Sequence, residues 1–471
     1  AVGHNCGHRI TTGSFNALLG KSAGQGLTTN GYSVAVGFET LTDTSLSGNN
    51  HVALGFRSMY KNTSGASNSG LGFRTLHENT TGSFLTAIGN DSLFANTTGD
   101  NNTGGGYYSL RENTTGDNNT GFGRNALAVN TTGGQNTAVG SLALDANTTT
   151  SNNTAVGYAA LSANTTGRNT AFGSQALKDV QTTDHNTAIG DHCLWKTTTG
   201  SNNTGLGFQA LVFNTTGSRN VAVGADALDS NTTGGTNTAV GTDALQANTT
   251  GVGNTALGAD AAQNSTTADG NTAIGSNALY TNTTGSGICA IGRAALYFNT
   301  TGADNTAVGR GALKANSTAS NNTAVGRDAL VANTTGDLHT AIGSNALDAN
   351  TTGSSNVAIG SLSLSENTTA SSNVAVGVQT LQNNTTASNN TAVGRDALKL
   401  NTTGANNVAV GANALEANTT ASENSAFGRG ALFRNTTGEN NTAVGRQALS
   451  ENTTGGNNTA VGRSALIANT T

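Results

Sequence analysis

Charge is scarce in this sequence. Of 471 residues, 21 are Lys or Arg and 26 are Asp or Glu, a formal net charge of -5. So nearly neutral a chain offers no electrostatic case for binding nucleic acid or an acidic membrane surface. Proline is absent, methionine and tryptophan occur once each, and charged residues make up 10%, where about a quarter is usual in soluble globular chains. This composition argues against the three or so globular domains that the length alone would suggest. The three cysteines, Cys6, Cys193 and Cys289, are odd in number and far apart, which excludes a dense disulfide framework and reads as free thiols. No apolar run approaches the ~20 residues that span a bilayer, and the start does not resemble a signal peptide. Beginning at Ala1 without methionine and stopping at Thr471 partway through a repeat, the chain reads as a processed product or a piece of a longer polypeptide.

Catalytic patterns are missing too. Ser, His and Asp are present, but none sits in a nucleophile elbow or a catalytic metal motif, and the Gly-x-Gly matches arise from a repeat. A calcium-binding nonapeptide array would need an aspartate in each turn. Neither an enzyme nor a cofactor is expected. Disorder is also excluded, because it normally comes with high net charge and weak apolar patterning, whereas here the apolar residues are strictly placed.

What fills the chain is Asn, Thr, Gly and Ala in one repeating unit. A marker glycine recurs from Gly3, Gly20 and Gly37 through to Gly428, Gly445 and Gly462, giving 28 units. Of the 27 steps, 25 are 17 residues long; Gly37 to Gly55 takes 18, and Gly157 to Gly173 takes 16. The segment from Asn441 to Asn457, NTAVGRQALSENTTGGN, serves as the consensus, numbered one to seventeen with the marker glycine at five. Position three is Ala or Gly almost throughout, position eight is Ala, Ser, Thr or Cys, position four is a larger aliphatic or Phe, and position nine is nearly always Leu.

Neighbouring residues on a strand face opposite ways, so the adjacent pairs three-four and eight-nine predict two short strands per turn, each with a small face and a large face. Positions four and nine are read as core. A helix is excluded by the Gly, Asn and Thr that interrupt every unit. Gly at five and fifteen and Asn at twelve are read as corners. Turns stacked as parallel strands place identical residues above one another, so Asn at twelve should form an amide ladder, as should the adjacent threonines. The expectation is an all-β parallel β-solenoid, or β-roll, of about 28 turns, a rod of roughly 130 Å. It is read as one continuous solenoid over 1–471, more divergent over 1–70 and irregular over 174–200. The second apolar face left over predicts packing against other copies, with a homotrimer preferred.

The Asn-Thr-Ala-Val-Gly core followed by Ala-Leu resembles the head repeats of trimeric autotransporter adhesins, and the shaft repeats of phage and giant-virus fibres that often carry a C-terminal self-cleaving chaperone domain. The resemblance covers essentially the whole chain, although the 17-residue period is longer than the usual adhesin head repeat. It implies left-handed parallel β-rolls in homotrimers.

Position six is the most informative variable site. It carries Phe38, Phe56 and Phe73, with Tyr107, Tyr158 and Phe208, in the N-terminal half, and Arg293, Arg310, Arg327, Arg395, Arg429, Arg446 and Arg463 further on. Both groups are planar and can stack, and Asp328, Asp396 and Glu439 are candidate partners for the arginines. The stripe is read as interchain stacking and ion pairs, with a glycan- or anion-binding surface as the functional alternative. His4, Cys6 and His8 alternate, so on a strand they would share a face and could ring a metal ion in a trimer; a plain surface or cap is the competing reading. His185, His192, Cys193 and Trp195 read as a local bulge or loop. The recurrent Asn-Thr-Thr and Asn-Asn-Thr triplets match N-glycosylation acceptors, at most a minority of which could be used without crowding.

These readings converge on an extracellular structural fibre: the shaft of a phage tail fibre or surface adhesin that spaces and presents a host- or surface-binding region, with a glycan or cell-surface receptor as partner. The alternatives are a secreted filament of rods joined end to end and an ice-binding solenoid. The latter requires a flat Thr-x-Thr face, which the adjacent threonines at thirteen and fourteen do not offer.

Overall fold

The computed structural model describes residues 1–470. Among them the regular structure is 27 strands of three residues each, with no helix. They fall into two compact units, Ala1–Gly235 and the segment from Thr236 onward. The first contains β1 (Ala17–Leu19) to β13 (Val221–Val223), and the second β14 (Thr238–Val240) to β27 (Thr459–Val461). Within each unit the strands pair in parallel with like positions in register, as in Ala17 with Val34 and Thr442 with Thr459. Each unit is thus a parallel β-solenoid with one strand per turn. Val2, bridged in parallel to Leu19, marks the first repeat.

The strand occupies positions two to four, and its alternation decides what is inside. In the last consensus turn Ala443 is fully buried, while Val444 is 38% exposed. The same holds at Ala341 and Ile342, where the second residue is 39% exposed. The large residue at position four, expected in the core, therefore faces outward. The interior is narrow, and from Ala35 onward position three holds only Ala or Gly; Leu18, buried in β1, is the exception.

The second predicted strand is absent. Positions six to eleven form turns, with positive φ at position seven (Gln447, 60°) and position nine (Leu449, 50°). Ala448 N–H donates to Gly445 O at 3.2 Å, closing a four-residue turn with Gln447 in its third place; a positive φ there is the mark of a type II turn. A second such turn overlaps it in several repeats, as where Lys314 N–H reaches Gly311 O at 3.2 Å, and it has position nine in its third place. The two turns together direct both Ala448 and Leu449 inward. A left-handed leucine is strained by about 1–2 kcal/mol, but complete burial of its side chain contributes about 1.5–3 kcal/mol, so burial wins. Bonds between successive turns continue through this segment, for example Leu449 N–H to Ala465 O at 3.0 Å and Gln447 N–H to Arg429 O at 3.0 Å. The turns stack as regularly as the strands, in a different backbone conformation.

The glycine at position five turns the chain out of the strand. Gly445 has φ 132°, and a Cβ there would lie 2.5 Å from the carbonyl oxygen of Gly462 in the next turn. The expected left-handed corners at twelve and fifteen are replaced by seven, nine and seventeen, the last represented by Asn457 at φ 61°.

Asparagine fills the rest of the interior. Asn452 donates to Asn435 Oδ1 at 2.9 Å and to Gly455 O at 2.9 Å, which realises the ladder at position twelve. A second ladder, not anticipated, runs at position one: Asn441 N–H donates to Asn424 Oδ1 at 2.9 Å, and Asn441 Nδ2 donates to Gly455 O at 2.8 Å. The threonines at thirteen bond to backbone instead of to each other, as Thr436 Oγ1 does to Thr453 O at 2.9 Å. Buried amides are expensive unless paired, and these two ladders pair them turn after turn.

Through 174–200 the strands keep regular register, β10 (Thr170–Phe172) pairing with β11 (Thr187–Ile189) residue for residue. The irregularity there is centred on position twelve and the residue after it. Val180 and Thr197 take the asparagine's place, and Thr197 Oγ1 is left without a partner.

Candidate functional site

Position six follows the corner glycine and therefore lies on the outer surface. Phe38, Phe56 and Phe73, on successive turns, stack with ring centroids 5.5 and 5.1 Å apart and planes within 10° of parallel. Beside them runs a second stack at position ten, formed by Tyr60, His77 and Phe94 with centroids 5.1 Å apart. Arginines at position seven bridge the two. Arg57 lies 5.1 Å from the Phe56 centroid and 5.3 Å from that of Tyr60; Arg74 lies 5.0 Å from Phe73 and 4.9 Å from Phe94. Both arginines are neutralised, Arg57 by Glu39 at 2.8 Å and Arg74 by Asp91 in a two-point contact at 2.8 and 2.7 Å. The Asp91 contact raises the Arg74 pKa. The face can stack against flat apolar surfaces but carries little free charge. Its position-ten half was legible as aromatics one repeat apart, and was missed because position six alone was followed.

The arginines of position six divide into two groups. Arg310 and Arg327 share Asp328, with contacts of 3.5 and 3.9 Å to the same Oδ2, and Arg395 meets Asp396 at 3.0 Å. These are two of the three acids expected as partners. Among the described residues no ion pair forms with Glu439, and none is made by Arg293, Arg429, Arg446 or Arg463. Arg429 and Arg446 border a groove of about 340 Å³, lined also by Asn413, Gly430, Phe433, Arg434, Gln447, Ser450 and Glu451.

His4, Cys6 and His8 do not share a strand face, because residues 4–9 form the turn segment. His4 and His8 are exposed, Cys6 is half-buried, and His8 Nδ1 lies 3.3 Å from Asn5 O. Among the described residues no group of three His, Cys, Asp or Glu side chains is placed to hold a metal ion. His185 occupies an ordinary position seventeen with φ 63°. His192 packs edge-on against Trp195 at 4.9 Å, and Lys196 lies 4.1 Å over the same indole. Burial pushes the Cys193 thiol up to about 12, so it is a packing residue and not a nucleophile.

The Asn-Thr-Thr acceptors place their asparagine at position twelve, where both amide hydrogens of Asn452 are engaged inside the coil. The Asn-Asn-Thr acceptors place theirs at position seventeen, which is exposed at Asn440 and Asn457. Among the described residues there is no helix long and apolar enough to cross a membrane. No protein-family model matches the chain, and no characterised protein matches it in sequence.

Proposed function

We propose that the chain is the shaft of an extracellular fibre, of the phage tail-fibre or surface-adhesin kind, in which copies associate through position four as a homotrimer. The supporting observation is the outward row of Val, Ile, Leu and Phe on the strands. Leu71, Ile88, Phe122, Val139, Phe172 and Ile189 are exposed in the first unit; Leu257, Ile342, Ile359, Val393, Phe427 and Val444 are exposed in the second. Within each unit, rungs about 4.8 Å apart make this a contiguous apolar strip, larger than the patches of a few hundred Å² that monomeric proteins leave in water. A closed symmetric assembly covers one such strip per chain. A shaft of this kind holds distance and presents a receptor-binding region, and the stacked aromatics and arginines at positions six, seven and ten remain available on its outside for glycans.

Analytical ultracentrifugation tests this. The expected species has three times the 46.8 kDa chain mass, and Ile342→Glu combined with Ile359→Glu should release folded monomers. A wild-type chain that sediments as a monomer sinks the reading.

Ice binding is the second reading, favoured by one feature of the same face. Position two is also outward and mostly threonine, so Thr323 with Val325 and Thr340 with Ile342 form a regular Thr-x-aliphatic array. That function needs the face free, so thermal hysteresis from a monomer would select it over the fibre.

A further inference from the structure

The arginines at position six show two arrangements, and the contrast between them identifies a ligand site. At Arg310 and Arg327 the intervening position seven is Gly311, which leaves a gap, and the carboxylate of Asp328 leans into it. A Cβ on Gly311 would lie 2.4 Å from Asp328 Oδ1. The other carboxylate oxygen, Oδ2, contacts both arginines, at 3.5 and 3.9 Å.

At Arg429 and Arg446 the intervening position seven is again glycine, Gly430 (φ 65°), and the gap is open: a Cβ there would have only Gln447 Cγ near it, at 3.8 Å. The residue that corresponds to Asp328 is Gln447, which carries no charge. Two arginines on adjacent rungs, whose backbones lie about 4.8 Å apart by the strand spacing, therefore border a groove of about 340 Å³, and neither is paired with a carboxylate. The acids nearby have other partners, although Glu451 and Arg434 also line the groove. Glu451 pairs with Arg434 at 3.3 Å, and Glu416 accepts a hydrogen bond from Asn413. The half-buried ring of Phe433 forms part of the wall.

We infer that the Gly430 groove binds an acidic sugar, whose carboxylate takes between Arg429 and Arg446 the place that Asp328 takes between Arg310 and Arg327. Guanidinium groups match carboxylates in geometry and charge, and the aromatic wall suits the apolar face of a sugar ring better than a peptide side chain. Like charges held a rung apart repel, so an anion that separates them is bound against a preformed deficit. The site does not depend on association between copies, since it is complete within one chain.

The test uses the full chain and three probes at low salt: an oligogalacturonate, a neutral malto-oligosaccharide of the same length, and an oligoglutamate peptide. Titration calorimetry should give one site per chain for the oligogalacturonate, at least tenfold tighter than for either other probe, and weakening as salt is raised. Gln447→Asp installs the internal carboxylate at a position where Asp328 and Asp396 already have the required positive φ. It should lower affinity at least tenfold with no change in Tm. Asp328→Gln should open the corresponding gap at Gly311 and add a second, weaker site, since Lys314 stands there in the place of Phe433. The inference is overturned if the wild type binds no acidic probe, if Gln447→Asp binds as well as wild type, or if the peptide binds as tightly as the sugar.

Discussion

Two histidines show how strictly position one is defined. His339 stands where other turns have asparagine, and its ring reproduces the amide: Asn356 N–H donates to Nδ1 at 3.2 Å, and Nε2 meets Gly353 O at 2.6 Å. That pattern requires the neutral ring with its proton on Nε2, since a proton on Nδ1 would confront the Asn356 N–H. Burial lowers the pKa of His339, and it takes that of His51, in the same position, from 6.5 down to about 4. The unfolded chain accepts these protons near 6.5, so the stability held by neutral rings is full above that pH and falls as the pH drops towards 4. For His51 the limit is about 1.4 kcal/mol per pH unit, or about 3 kcal/mol in all. Urea unfolding at pH 7.5 and 4.5 should show the loss, and His51→Asn with His339→Asn should remove most of it.

Position seven offers a change in the other direction. Ala294 is held at φ 57°, between Asn277 at 56° and Gly311 at 70° in the adjoining turns. Asparagine tolerates this region better than alanine. Ala294→Asn should raise unfolding free energy by about 0.5–1 kcal/mol; a variant less stable than wild type would mean that the side chain at this position makes contacts that outweigh the backbone.

At the scale of the element, the ladders carry the polar interior. Asn401 donates to Asn384 Oδ1 and to Gly404 O, both at 2.9 Å, and accepts from Asn418 at 2.8 Å. Asn401→Ala removes these bonds and strands the partners on both neighbouring rungs, which should destabilise by about 2–4 kcal/mol. Asn401→Asp should be at least as damaging, since a carboxylate has no hydrogen to offer Asn384 Oδ1 or Gly404 O. Equilibrium unfolding of the two variants checks both. The ladder at twelve could be foreseen because Asn recurs there beside two threonines. The core could be foreseen only in part. Adjacent small and large residues at three and four do identify a strand, but which of the two faces inward depends on how narrow the coil is, and the period alone does not give that. Position nine was placed correctly inside for a different reason than supposed: Leu449 reaches the interior from a left-handed turn, a conformation that leucine's own preference argues against. The candidate site was similarly half visible. The arginine stripe follows from the spacing, whereas the contrast between Asp328 and Gln447 gains meaning only once position seven is seen to lean across position six of its neighbour.

At the scale of the whole molecule, a repeat in which each turn touches its neighbours should tolerate loss of a complete turn far better than loss of one residue. Deleting residues 374–390 joins Asn373 to Thr391 and restores every ladder in phase. Deleting Ala392 alone removes the middle of a strand and moves Val393 to the inward place, between Ala375 and Ala409, both fully buried; a one-residue slip exchanges the two faces of a strand. The chain's own irregular steps respect this rule. The 16-residue step drops a residue between Gly167 and Asn169, at a corner, and leaves β10 in register with its neighbours. Its effect is on the ladder, where Asn164 reaches Gly167 O at 3.4 Å and Asn147 Oδ1 is left unpaired. Deleting Ser388, at the matching corner, should therefore be tolerated, losing mainly its bond from Ser371 N–H at 3.0 Å. In thermal unfolding followed by circular dichroism, the expected order of Tm is the whole-turn deletion close to wild type, the Ser388 deletion a few degrees lower, and the Ala392 deletion lowest by a wide margin. If the Ala392 deletion melts with the whole-turn deletion, the inward place at position three is not as confined as the buried alanines indicate.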